Sequence, residues 1–90
     1  MHFDFCDWEA EGGAWSNTRH VGHNGVTPEE FEEVLTTVAR RDVQPSRSHP
    51  VNMTCVGKTN EGRNLRIVFE LDESDDFVYV RPVTAYESEE

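Results

Sequence analysis

Polar and apolar positions alternate along this chain with two different periods. Residues 2–8, His-Phe-Asp-Phe-Cys-Asp-Trp, alternate in polarity, with Phe3 and Phe5 on one side and Asp4 and Cys6 on the other. A period of two predicts a short strand. Gly12-Gly13 then breaks the pattern, and residues 15–22 read as a short helix capped by Ser16 or Asn17. Asn24-Gly25 reads as a turn.

The period changes after Val26. Phe31, Val34, Leu35 and Val38 recur at i, i+3, i+4 and i+7, which places them on one stripe of a helix. The start of that helix is marked three ways. Thr27 suits the N-cap, Pro28 the first helical position, and Glu30 the third position of a capping box. Glu29 and Glu30 also sit at the positive end of the helix dipole. The predicted helix runs from Pro28 to Ala39, with Arg40 and Arg41 near its C-terminus.

The period of two returns after a polar loop, 42–50. Val51, Met53 and Cys55 alternate with Asn52 and Thr54, and Leu65, Ile67, Phe69 and Leu71 alternate with Arg66, Val68 and Glu70. Thr59-Asn60-Glu61-Gly62 joins the two as a hairpin turn, with Gly62 supplying a positive φ. Asp72 to Asp76 forms an acidic turn, and Phe77 to Val83 a last strand ended by Pro82. The order strand, helix, helix, three-stranded meander predicts an α+β domain. Two N-terminal helices would pack on one face of a small, mostly antiparallel sheet. If Leu65, Ile67 and Phe69 face the helices, Arg66, Val68 and Glu70 line the open face. Ninety residues make one domain, residues 1–86, with 87–90 as an acidic tail.

Charge narrows the functional classes. Eight basic residues stand against eighteen acidic ones, a net charge of −10. A nucleic-acid binder needs a positive footprint to displace counterions, so RNA is disfavoured and a basic protein partner is favoured. No apolar run is long enough to span a membrane, and the N-terminus has the look of no leader, so the cytoplasm is the expected location. Cys6 and Cys55 are the two cysteines, expected as reduced thiols unless neighbouring strands bring them together.

Two groups of side chains carry candidate chemistry. His20 and His23 are three apart and would share a helix face, as an acid–base pair or as part of a metal site. A metal needs further ligands, for which His2, Asp4 and His49 are nominees, and the pattern itself calls for no metal or cofactor. Seven of the eight basic residues are arginine, the side chain best shaped for phosphate. Arg63, Arg66, Arg81 and Lys58 fall on the meander and, with Tyr79 and Tyr86, would make a patch able to hold a phosphodiester. The competing reading pairs these cations with the surplus carboxylates across strands. The acidic runs Glu29 to Glu33 and Asp72 to Asp76 read as a capped, solvated helix face and a solvated turn.

Three segments resemble BrnT-like proteins: Asn17-x-x-His20-Val21 with Gly25 to Glu30, then Val56 to Phe69, then Val83 to Glu87. The resemblance implies a RelE-like fold. It also implies a metal-independent ribonuclease toxin, neutralised by a basic ribbon-helix-helix antitoxin. In such a site His20 or His23 would act as acid or base. Arg63, Arg66 and Arg81 would hold phosphate, and Tyr79 or Tyr86 would position it. The chain departs from that pattern at two places. His23-Asn24-Gly25-Val26 stands where the family carries Lys-His-Gly-Val, and Tyr86 followed by acidic residues stands where it carries Arg and a basic helix. The expectation is therefore a divergent, acidic member in which ribonuclease activity is weak or lost and protein binding remains. An active ribonuclease is the alternative.

Overall fold

A computed structural model describes residues 1–8 and 25–88. Five strands form one sheet: β1 (Phe5–Cys6), β2 (Gln44–Pro45), β3 (Met53–Lys58), β4 (Asn64–Glu73) and β5 (Val78–Glu87). Their spatial order is β1-β5-β4-β3-β2. β1 pairs with β5 in parallel and every other pairing is antiparallel. One α-helix, α1 (Pro28–Thr37), and a 3₁₀ turn (Arg40–Asp42) complete the described elements.

This corrects the expected architecture of two helices on a mostly antiparallel sheet of one strand plus a meander. The described residues form a five-stranded mixed sheet with one α-helix on it. The additional strand, β2, has two residues, too few for any period to show in the sequence. The expected first helix, 15–22, and the Gly12-Gly13 break lie outside the described residues.

α1 begins as its sequence dictates. The Thr27 N–H donates to Glu30 Oε1 (3.0 Å), and the Glu30 N–H donates to Thr27 Oγ1 (3.1 Å). Both bonds of the capping box are thus present, with Pro28 in the first turn. Ten residues are too few for a stable isolated helix. Packing holds it, through Phe31, Val34 and Leu35, all fully buried. The helix stops at Thr37, short of Ala39, where β-branched Thr36, Thr37 and Val38 follow one another. Arg40 and Arg41 therefore lie in the 3₁₀ turn. The Met1 amino nitrogen donates to the terminal carbonyls of Leu35 (2.8 Å) and Thr36 (2.9 Å), and to that of Val38.

The sheet turns Leu65, Ile67 and Phe69 of β4, Cys55 of β3, and Val80, Pro82 and Ala85 of β5 onto the helix. Phe31 meets Trp8 edge-on at 5.1 Å and Phe69 at 6.4 Å. Gly57 lies under the helix, where a Cβ would come within 3.0 Å of both Val34 Cγ1 and Val38 Cγ1. Gly62 holds the β3–β4 turn at φ 86°, as its place in the hairpin requires.

β5 continues through Pro82 to Glu87 instead of ending there. A register shift between Val68 and Phe69 puts one extra residue, Val83, into β5: Val68 pairs with Thr84, but Phe69 with Pro82. The bulge accommodates a proline that cannot donate to the ladder. It also reverses the parity of the strand. Val80 and Pro82 face inward before it, Ala85 after it, so Tyr79, Arg81, Thr84 and Tyr86 all fall on the outer face.

Cys6 and Cys55 are free thiols. They lie on β1 and β3, which β5 and β4 separate.

Candidate functional site: the open face of the sheet

The face turned away from α1 is laid out in cross-strand rows. Val56, Arg66 and Tyr86 form one row; Gln44, Thr54, Val68 and Thr84 form the next. Glu70 pairs with Arg81, and Asp72, Tyr79 and Phe5 close the series. Four of the predicted site residues, Arg66, Tyr79, Arg81 and Tyr86, therefore share this face.

They divide into two groups. Arg66 and Tyr86 are direct register partners on β4 and β5. Together with Arg47, Ser46 and Ser48 from the loop after β2, they line a groove of about 670 Å³. Arg66 is held in place there: its Nη1 donates to Thr54 Oγ1 (3.3 Å), which in turn donates to the Ile67 carbonyl (2.9 Å). Tyr86 keeps 43% of its surface exposed. Tyr79 and Arg81 lie in a separate hollow of about 320 Å³ with Glu70, Asp72 and Val51. Arg81 Nη1 is 3.6 Å from Glu70 Oε2, a loose ion pair. The Tyr79 hydroxyl donates to the Asp7 carboxylate, which pushes its pKa up, and its ring lies 5.8 Å from that of Phe5.

Arg63 belongs elsewhere. It precedes β4 on the helix side, and its guanidinium joins three elements. Nε donates to Glu87 Oε1 (2.7 Å), while Nη1 donates to Glu30 Oε2 (2.8 Å) and the Gly25 carbonyl (3.1 Å). The carboxylates of Glu87 and Glu30 raise its pKa. Glu30 is held below the usual carboxylate range, first by the Thr27 N–H and then by Arg63. Arg63 is thus a clasp between the cap of α1 and the end of β5, which corrects its expected place in a phosphate-holding patch. Lys58 lies at the end of β3 opposite Asn64, outside the groove lining.

His20 and His23 lie outside the described residues. Of the nominated metal ligands, His2 Nε2 is 3.2 Å from Asp4 Oδ1 at the surface. Among the described residues no group of three or more His, Cys, Asp or Glu side chains could hold a metal ion. The Cys6 thiol is pushed up to about 12 by burial, with Glu32 and Asp7 adding to the effect, and burial pushes Cys55 up to about 11. Neither is an activated nucleophile.

The sequence reading missed Arg47 and its flanking serines. Their only signal was a cationic residue in a polar loop, and which face that loop covers depends on the two-residue β2. Among the described residues no helix is long and apolar enough to cross a membrane. No protein-family model, curated protein or solved structure matches this chain.

Proposed function

We propose that this chain is a protein-binding module that contacts its partner through the open face of the sheet, with ribonuclease activity weak or lost. The observation that carries this reading is charge compensation. Arg63 is engaged by Glu30 and Glu87, and Arg81 by Glu70, in a chain of net charge −10. Cations already neutralised by carboxylates release few counterions from a nucleic acid, so a polyphosphate gains little from them. A face of paired charges, hydroxyls and partly exposed aromatics (Phe5 and Tyr86) has the make-up of a protein contact surface. The overall charge favours a basic partner. The resemblance to BrnT-like toxins gives that partner a class, a small basic ribbon-helix-helix protein.

The test is fluorescence anisotropy of a labelled single-stranded RNA at low and physiological salt. The expected result is binding no tighter than about 10⁻⁴ M at physiological salt, the weak end of non-specific association. Micromolar binding with a steep salt dependence would overturn the reading.

A second reading, an active metal-independent ribonuclease, is favoured by one observation: Arg66 stands directly opposite Tyr86 in a groove. A fixed guanidinium beside a hydroxyl could stabilise a charged phosphoryl transition state. The informative variant for this reading is Arg66→Gln. Arg81 is already paired with Glu70 and would report on that pair.

A further inference from the structure

Within that contact face, we infer that the hollow bounded by Tyr79, Asp72 and Val51 receives an arginine side chain of a basic protein partner. The inference rests on the protein-binding reading above and deepens it, by giving the partner a point of attachment.

The hollow is built from the cross-strand register. Asp72 on β4 pairs with Tyr79 on β5, which pairs with Phe5 on β1, so one carboxylate and two rings form a row across three strands. Glu70 and Arg81 are the neighbouring pair on β4 and β5. Val51 reaches the hollow from the loop before β3 and stands 82% exposed. The Tyr79 hydroxyl is tied to Asp7, which fixes its ring beside that of Phe5.

The charges of the lining do not cancel. Arg81 answers Glu70, at 3.6 Å. The carboxylate of Asp72, the other acid of the lining, enters no hydrogen bond or ion pair among the described residues. One negative charge is left over, in a chain that carries −10. A single cation meets that charge, and the field of the whole molecule draws it in.

The lining also selects among cations. Val51 and the Tyr79 ring place apolar and aromatic surface beside the free carboxylate. A guanidinium is planar and weakly hydrated, so it can lie against a ring and still turn N–H donors to a carboxylate. An ammonium is compact and strongly hydrated, and gains less from such a wall.

The test is a titration of the full chain followed by NMR, reading the Asp72 amide and the ring signals of Tyr79 and Phe5. The probes are N-acetyl-arginine methylamide, N-acetyl-lysine methylamide and a single-stranded oligouridylate. The arginine probe should give saturable shifts at these residues, with its own Cδ protons moved upfield by the ring. It should bind about threefold tighter than the lysine probe. Asp72→Asn should weaken it about threefold, the worth of an exposed ion pair. Glu61→Gln removes the same charge at the other end of β4 and should leave binding unchanged. Amide spectra establish that each variant is folded. No saturable shift, equal weakening in both variants, or a lysine probe bound as tightly would overturn the inference. Absent arginine binding with absent oligouridylate binding overturns the hollow alone, and strong oligouridylate binding overturns the module reading with it.

Discussion

The two faces of this sheet are built from alternate residues of the same strands, yet they do different work. On the helix side, Leu65, Ile67, Phe69, Val80 and Ala85 are fully buried against Phe31, Val34 and Leu35 of α1. On the open side the intervening residues Arg66, Thr84, Arg81 and Tyr86 stay partly or largely accessible. The helix side stabilises the fold by removing apolar area from water. The open side contributes through side chains held in position by neighbours, as Thr54 holds Arg66. Stability and the proposed binding are thus assigned to opposite strand parities, and substitutions on the two faces should have unlike consequences.

The largest effect belongs to the helix side. Phe31→Ala should cost about 3–5 kcal/mol, since it removes a fully buried ring and leaves a cavity between Trp8 and Phe69. Tyr86→Ala, on the open face, should stay within about 0.5 kcal/mol of the parent. Urea denaturation of the pair measures both. Similar losses at the two positions would break the distinction.

Gly57→Ala sharpens it. A methyl group there would press within 3.0 Å of two valine carbons of the helix stripe. The expected loss is about 1–3 kcal/mol by overpacking, read as a lower urea midpoint. A neutral result would mean that α1 does not sit closely on β3.

A smaller effect is expected at the rim of the helix side. Thr27→Ala removes the N-cap side chain and should cost about 1 kcal/mol. Glu30 adds a pH dependence. Its folded pKa lies below the unfolded value of 4.5, so its contribution is present above that value and is lost as pH falls through the folded one. Glu30→Gln should therefore flatten the acid limb of the stability curve below about pH 4.5 and lower the plateau above it. An unchanged acid limb would contradict the clasp of Glu30 and Arg63.

The smallest change concerns the thiols. Cys6 and Cys55 both pack toward the helix side, and burial raises both pKa values, to about 12 and about 11. Neither should react quickly with an alkylating reagent at pH 8, and labelling should follow denaturation. Rapid labelling of the native protein would show that this side is less closed than its packing implies.

Much of the helix side was legible in the residues. The capping box at Thr27 and Glu30, the stripe of Phe31, Val34 and Leu35, and the alternation of Leu65, Ile67 and Phe69 each have a period and a chemical marker. Of the two short strands, Phe5–Cys6 lies within the alternation of residues 2–8, whereas Gln44–Pro45 had neither. Gln44–Pro45 exists because β3 offers an edge, a tertiary cause invisible to a local pattern. In β1 it is Cys6 that packs against the core, while Phe5 stays 48% exposed, against the expectation that Phe3 and Phe5 share a side. The bulge at Val83 hid the last part of β5, because the parity of Tyr79 and Arg81 does not carry over to Tyr86. One part of the site could have been read better. Arg63 and Arg66 are three positions apart, and on a strand that spacing puts them on opposite faces. The structure separates them in that way, Arg63 to the helix cap and Arg66 to the groove.

The measurement that bears most directly on the open face as a binding surface is total RNA integrity during inducible expression of the wild type beside Arg66→Gln. Intact RNA and normal growth in both, with soluble folded protein in each, is the predicted result. RNA decay with the wild type, relieved by Arg66→Gln, would contradict it and make the groove the centre of a working ribonuclease.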